Sequence, residues 1–110
     1  MELKEKKCLP CEGGVPTLTA DEATRLLQQL SGWRIDTESP ELRKRFKFST
    51  FPETITFVNR MANLAESEGH HPDFCVRFTV LDVSVTTHAI GGLSENDFVL
   101  AAKIDELPQK

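Results

Sequence analysis

Apolar residues recur three and four positions apart in three separate stretches of the chain, which is the spacing of one face of an α-helix. The first stretch begins at a capping box formed by Thr19 and Glu22 and ends at Gly32. The other two begin at the helix-start residues Pro52 and Ser94. The pattern therefore predicts three amphipathic helices, over residues 20–31, 52–67 and 94–107.

Between these helices apolar and polar residues alternate, which is the period of a β-strand with one buried face. The alternation is clear over residues 42–48, where the polar positions are basic, and a shorter strand is predicted over residues 33–36. Residues 74–87 carry two alternating patterns that are out of phase with each other. Because one strand keeps one phase, we predict two strands here, with a break near Thr79 and Val80.

The predicted order is helix, strand, strand, helix, strand, strand, helix (αββαββα). Short hairpins separated by helices indicate an α+β two-layer sandwich, with a four-stranded antiparallel sheet and three helices on one face. Such a sheet has two edges, so we expect a homo-oligomer formed through strand pairing or helix packing. Residues 1–16 are charged and then rich in glycine and proline, and are predicted to form an extended N-terminal arm before a single domain at 17–110.

The composition narrows the class of protein. A chain of 110 residues has the size of one domain. Its net charge of −4 argues against direct binding to nucleic acid, because phosphates attract positive surfaces. The chain has no apolar run of about 18 residues, and its N-terminus lacks the apolar stretch of a signal peptide. We therefore expect no membrane span and a location in the cytoplasm, with the nucleus as the alternative.

The three cysteines are too few for a disulfide framework. Cys8 and Cys11 form a single CxxC pair in the predicted arm, whereas a structural zinc site usually has four ligands, often from two such pairs. Two interpretations stay open, a metal site and a simple feature of the tail, and the second is favoured. Cys75 stands among apolar residues and is predicted to be a small filler of the core.

The chain has three histidines, His70, His71 and His88. The first two follow the second helix, and the third lies at the end of the fourth strand. A hairpin at the predicted break would return His88 to the start of the third strand, beside the other two. Glu66 precedes His70 by one helical turn, so its carboxylate could orient an imidazole. Because imidazole both donates and accepts protons near neutral pH, this cluster suits acid–base catalysis.

Two other interpretations of the histidines remain open at this point. They could be unrelated surface side chains, with His88 a hydrogen-bonded residue of the core. They could also hold a catalytic zinc ion, which three histidines can do. The zinc interpretation is weakened because Pro72 favours an extended chain at His71, and neighbouring residues of an extended chain point to opposite faces.

The spacing of these residues resembles the signature of the pterin-4a-carbinolamine dehydratase family. The matching pattern is Glu66-x3-His70-His71-Pro72, followed by Phe78, His88 and Asp97 after five, nine and eight residues. Further matching positions are Gly32-Trp33, Thr87 before His88, and Gly91-Gly92-Leu93-Ser94. The resemblance covers residues 17–107. The chain departs from the family at Phe74, where a tryptophan is common, and at Gly69, where some members carry an acidic residue.

The resemblance implies dehydration of 4a-hydroxytetrahydrobiopterin to quinonoid dihydrobiopterin, a step that recycles tetrahydrobiopterin for aromatic amino-acid hydroxylases. It implies no metal and no redox cofactor, and it implies homodimers or homotetramers. By similarity, His70, His71 and His88 surround the pterin, with His70 and His88 transferring protons and His71 mainly binding substrate. Glu66 would orient a histidine or hold the polar edge of the pterin.

The resemblance also implies that Trp33, Phe74 and Thr87 contribute to substrate binding. Trp33 would form a wall for the pterin ring or be an ordinary residue of the core. Asp97 is interpreted as a first-turn residue that favours the positive end of the last helix. Some relatives act as dimerisation cofactors of a homeodomain transcription factor. An oligomeric protein-binding module that acts as a transcriptional coactivator is therefore the alternative function.

Overall fold

The computed structural model describes residues 2–9 and 16–109. Its helices are α1 (Ala20–Leu27), α2 (Phe51–Glu68) and α3 (Glu95–Asp105), and its strands are β1 (Arg34–Asp36), β2 (Glu41–Lys47), β3 (Asp73–Arg77) and β4 (Val80–Val85). Two 3-10 turns lie at Leu3–Glu5 and His88–Ile90. The predicted α+β class and the order αββαββα are confirmed.

The four strands form one antiparallel sheet in the order β1-β2-β4-β3. The two central strands place Leu42 opposite Val85 and Phe46 opposite Leu81, and all four side chains are buried. They belong to one core with buried residues of α2 and α3. Arg43, Arg45 and Asp82 project their charged side chains from the other face, so the helices lie on one face of the sheet, as predicted.

The β3–β4 hairpin confirms the predicted break, because the turn between the two strands lies at residues 78–79. Two details differ from the sequence prediction. Phe78, which the alternation places in a strand, lies in the turn with a φ of 57° and is 72% exposed. Cys75 is exposed and does not fill the core, because its cross-strand partner Asp82 lies on the charged face of the sheet.

Local signals at both ends of α2 position the chain before the histidine pair. The side chain of Thr50 accepts a hydrogen bond from the backbone N–H of Glu53 at the start of the helix. Gly69 ends the helix in the left-handed conformation, with a φ of 67°. Glycine takes this conformation without the steric penalty that a Cβ atom imposes. The chain therefore leaves α2 abruptly and turns inward at His70.

The N-terminal residues belong to the same packed unit. Leu3, in the first 3-10 turn, is 2% exposed and is part of the hydrophobic core. Sequence reasoning missed this contact because a single apolar residue in a charged stretch has no periodicity. Cys11 of the CxxC pair lies outside the described residues. Within residues 2–9 and 16–109, none of the helices is long and apolar enough to span a bilayer.

Candidate active site

His70 is held inside the protein directly after α2. Its backbone N–H donates to the carbonyl of Ala65 at 3.3 Å, which continues the turn begun at Gly69. Its side chain is only 6% exposed, and Nε2 lies 2.7 Å from Oδ1 of Asp97 on α3. The buried imidazole is therefore fixed by a carboxylate from a different helix.

Asp97 is the centre of a buried hydrogen-bond network. Its side chain is fully buried, and Oδ2 accepts from the Thr87 hydroxyl at 2.8 Å and from the Ser94 backbone N–H at 2.9 Å. The hydroxyls of Thr87 and Ser94 are also within 2.8 Å of each other. A buried carboxylate is stable only when hydrogen bonds replace its lost hydration, and the positive end of α3 adds to this. The network joins α3, the segment after β4 and His70.

His71 points the other way from its neighbour and reaches solvent. Its side chain is 62% exposed, and its Nε2 lies 2.9 Å from Oε1 of Glu66, which is 81% exposed. An uninterrupted helix would place Glu66 on the same side as His70. Because the chain turns at Gly69, the carboxylate of Glu66 contacts His71 instead. Glu66 does contact a histidine, and that histidine is the exposed one.

His88 is the first residue of the second 3-10 turn, three positions beyond the end of β4. Its Nε2 lies 3.4 Å from Oδ2 of Asp73, the first residue of β3, and both side chains are mostly exposed. Thr87 forms an isolated bridge with Gly92, which holds the start of the turn in place. Return of the chain through the hairpin therefore places His88 beside the start of β3.

These contacts gather the three histidines at one end of the β3–β4 hairpin. His70 and Thr87 share the carboxylate of Asp97, and His88 follows Thr87 directly. His88 in turn contacts Asp73, which stands two positions after the histidine pair. Each imidazole is within reach of a different carboxylate, and a histidine–carboxylate pair is an arrangement that can take part in proton transfer.

For two of these carboxylates the contact with a histidine does not follow from the sequence pattern. Asp97 stands in the family signature and three residues after the helix cap Ser94, but its bond to His70 spans 27 positions of the chain and no local pattern predicts it. Asp73 contacts His88 only because the hairpin closes. The predicted hairpin itself is the signal that could have identified Asp73, since its two ends must lie side by side.

The three residues predicted to bind substrate have different surroundings. Thr87 is buried in the Asp97 network. Phe74, next to Asp73 on the edge strand β3, is 46% exposed. Trp33 is 7% exposed and is not brought to the histidines, since its Nε1 donates to both carboxylate oxygens of Asp105 at 3.0 Å and its ring packs edge-on against Phe46.

Metal-ligating side chains do not converge in the described part of the chain. Across residues 2–9 and 16–109, no group of three or more histidine, cysteine, aspartate or glutamate side chains is arranged to hold a metal ion. Each histidine of the candidate site contacts a carboxylate of its own.

The protein is an α+β sandwich whose three histidines each contact a carboxylate. The family model for pterin 4 alpha carbinolamine dehydratase matches residues 16–107. A protein of Rubrobacter xylanophilus, provisionally named a pterin-4-alpha-carbinolamine dehydratase, is 50% identical over 106 residues, which are 96% of this chain and 98% of the relative. The chain therefore belongs to the pterin 4 alpha carbinolamine dehydratase family.

Solved structures also resemble this chain. A transcriptional coactivator/pterin dehydratase from Brucella melitensis matches with a TM-score of 0.78 and 30% identity, over 82% of this chain and 96% of that one. A pterin dehydratase-like protein, identified as a RuBisCO assembly factor in the alpha-carboxysome, matches with a TM-score of 0.59 and 29% identity, over 68% and 87%. Proteins similar to this chain are thus described both as dehydratases and as proteins that act on other proteins.

Proposed function

We propose that this chain catalyses dehydration of 4a-hydroxytetrahydrobiopterin to quinonoid dihydrobiopterin, and so recycles tetrahydrobiopterin for aromatic amino-acid hydroxylases. The observation that carries the proposal is the set of three histidine–carboxylate contacts at one end of the β3–β4 hairpin. Membership of the dehydratase family supports the same reaction class.

The reaction itself is a proton-coupled elimination. The C4a–O bond breaks, N5 loses its proton, and the electrons of the N–H bond form the C4a–N5 double bond while water leaves. No oxidant or reductant is consumed. The step needs an acid for the departing hydroxyl and a base for the proton at N5, and side chains with an ordinary pKa near neutrality suit both tasks.

We assign these tasks to His70 and His88. Asp97 holds His70 by one ring nitrogen and would stabilise the imidazolium that forms when His70 takes a proton. His88, exposed beside Asp73, would protonate the leaving hydroxyl. His71 and Glu66 would bind the polar edge of the pterin, and the exposed ring of Phe74 would contact its flat face.

The direct test generates 4a-hydroxytetrahydropterin in situ and follows its dehydration by ultraviolet absorbance, with and without a chelator. We expect acceleration that survives the chelator. His70→Ala and His88→Ala are each expected to lower kcat/KM by roughly 100-fold or more, the scale of general acid–base catalysis, while the circular dichroism spectrum stays native. Near-normal rates in both variants would refute the assigned mechanism.

We also propose that the protein works as a homodimer or homotetramer. Both edge strands carry exposed backbone groups that can pair with a second copy, and β3 adds the exposed rings of Phe74 and Phe78 at that edge. Sedimentation equilibrium would give the mass of the assembly directly. A monomer at micromolar concentration would contradict this proposal without affecting the chemistry.

A second candidate function is an oligomeric protein-binding module that acts as a transcriptional coactivator or dimerisation cofactor. The description of the Brucella melitensis protein as a coactivator and of a second relative as an assembly factor supports it. Either role would place the protein in the cytoplasm or the nucleus. Affinity purification of the tagged chain that yields no stoichiometric protein partner would count against this function, and the His70→Ala variant should retain any such partner.

A further inference from the structure

We propose that residues 2–9, the N-terminal strap, position the His70–Asp97 pair by tying the end of α2 to the start of α3. The inference rests on the proposed dehydratase function only for its kinetic consequence. In this proposal, a segment outside the histidine cluster determines the geometry of the buried His70.

The strap is anchored at its beginning by the hydrophobic core. Leu3 is 2% exposed and packs with the buried residues of the domain. Lys4 then lies 3.0 Å from Glu106 just beyond α3, and Lys6 lies 3.0 Å from Glu95 at the start of α3. Because exposed ion pairs contribute little, the buried side chain of Leu3 is the main anchor. The strap thus runs along α3 toward its first turn.

At its far end the strap is bonded to Asn96, which directly precedes Asp97. The side chain of Asn96 is almost fully buried. Its Oδ1 accepts from the backbone N–H of Leu9 at 2.8 Å, and its Nδ2 donates to the carbonyl of Leu9 at 2.7 Å. The thiol of Cys8 also donates to the backbone carbonyl of Asn96 at 3.6 Å. Release of the strap would remove these hydrogen bonds from the buried amide.

The same end of the strap is bonded to Glu68, two positions before His70. Oε1 of Glu68 accepts from the backbone N–H of Cys8 at 2.9 Å, and Oε2 accepts from Nζ of Lys103 on α3 at 2.6 Å. Burial alone would raise the pKa of Glu68, but Lys103 and the Cys8 N–H together hold that pKa below its usual range. Glu68 is therefore ionised at neutral pH, and both of its contacts are charge-assisted.

These contacts bracket the buried pair from both sides. On the α2 side the strap bonds Glu68, and on the α3 side it bonds Asn96. His70 lies two positions after Glu68 and Asp97 directly follows Asn96. The His70–Asp97 bond of 2.7 Å requires the two helix ends to keep a fixed separation. A displacement of about 1 Å at a catalytic group can lower a rate by about 100-fold. Contacts that fix the separation of His70 and Asp97 would therefore affect the rate of the proposed reaction.

Cys8 supplies a reporter for the docked state. Burial, together with the nearby charge of Glu68, raises the pKa of the Cys8 thiol to about 12. A docked Cys8 therefore carries almost no thiolate at neutral pH and should react slowly with a thiol reagent. In a background with Cys11→Ser and Cys75→Ser, the labelling rate of the full-length protein measures release of the strap.

The test uses two variants that act on opposite ends of the strap. Leu3→Asp removes the core anchor far from the histidines, and Asn96→Ala removes the bonds to Leu9. Lys4→Ala, which removes only the exposed ion pairs with Glu2 and Glu106, is the matched control. In both test variants we expect Cys8 labelling to rise at least about tenfold and the ring resonances of His70 in proton NMR to move, whereas the control changes neither.

The kinetic expectation for both test variants is a fall in kcat of about tenfold with little change in KM, because positioning and not binding is lost. Rapid labelling of Cys8 with unchanged His70 resonances and unchanged kcat would overturn the proposal and leave the strap a passive cover. Absence of dehydration by the unmodified protein would contradict the proposed function alone, because the His70 resonances still report the positioning. Should Leu3→Asp fail to fold, Asn96→Ala decides the question.

Discussion

The buried pair His70–Asp97 and the two exposed pairs hold their imidazoles in different ways. His70 and Asp97 are 6% and 0% exposed, whereas the side chains of the His71–Glu66 and His88–Asp73 pairs are between 62% and 81% exposed. The buried carboxylate also accepts from Thr87 and from the N–H of Ser94. The fold thus determines the position of one histidine and leaves the other two accessible to solvent.

This difference gives the histidines different freedom to move: His70 is fixed by the fold, whereas His71 and His88 can rearrange around a ligand. Removing one partner of a buried pair leaves an uncompensated polar group and typically costs about 3–5 kcal/mol, while an exposed pair contributes about 0–1 kcal/mol. His71 and His88 can therefore exchange their carboxylates for a substrate at little cost. His70 cannot, so in the proposed mechanism it must act while still bonded to Asp97.

The largest effect is expected for Asp97→Ala. The substitution removes the acceptor of His70, of the Thr87 hydroxyl and of the Ser94 N–H in the interior. We expect the free energy of unfolding to fall by about 3–5 kcal/mol, measured by urea denaturation. Asp73→Ala, in an exposed pair, is the control and should change it by less than about 1 kcal/mol. Equal losses in the two variants would show that the buried and exposed pairs do not differ.

A smaller effect is expected for Thr87→Val, which keeps the shape of the side chain and removes its hydroxyl. Asp97 loses one donor, so we expect a loss of about 1–3 kcal/mol in urea denaturation. Thr56→Val on the exposed surface of α2 is the matched control and should stay within about 0.5 kcal/mol. An unchanged free energy of unfolding in Thr87→Val would mean that the remaining donors satisfy Asp97 without the Thr87 hydroxyl.

The secondary structure around these pairs, α2 and the β3–β4 hairpin, could be predicted from local signals in the sequence. Pro52 and Gly69 mark the ends of α2 within a residue, and the phase change before Val80 marks the hairpin. Each signal depends on a few neighbouring residues, because capping, the left-handed turn and strand alternation are local properties. The hairpin then accounts for the gathering of His88 with the histidine pair.

The partners within the site depend on packing between distant segments. Asp97 is 27 positions from His70, and Asp105, the partner of Trp33, is 72 positions from it. Periodicity and caps carry no information on such contacts, so Asp97 resembles an ordinary first-turn residue and Trp33 resembles a possible wall of the site. The strap was missed for the same reason, since Leu3 is anchored by residues from the other end of the chain.

The strap contacts two carboxylates, the partly buried Glu68 and the surface residue Glu95, whose contributions to stability should differ in pH dependence. The pKa of Glu68 is lowered in the folded protein, so ionised Glu68 stabilises the fold above its unfolded pKa of about 4.5, and this contribution is lost as the pH falls through the folded value. At neutral pH we expect Glu68→Gln to cost about 1 kcal/mol in urea denaturation, and we expect the difference to shrink below pH of about 4.

Glu95→Gln is the control for this measurement. Glu95 pairs with Lys6 at the surface, where the side chains are 48% and 33% exposed. We expect its substitution to change the free energy of unfolding by less than about 0.5 kcal/mol at neutral pH. A cost for Glu68→Gln that is the same at neutral and acidic pH would assign its effect to packing and not to the charge shared with Lys103 and the Cys8 N–H.

The smallest effect on stability, and the sharpest test of the exposed side of the site, is expected for Glu66→Gln. Because Glu66 is 81% exposed, its bond to His71 should contribute less than about 0.5 kcal/mol to folding. If His71 binds the pterin and Glu66 orients it, KM should rise about 3- to 10-fold while kcat stays within about twofold, since binding is lost equally in ground state and transition state. Ser67→Ala, on the same turn of α2, should leave both constants unchanged. A fall in kcat at constant KM would instead assign Glu66 a role in proton transfer, like the role proposed for Asp97.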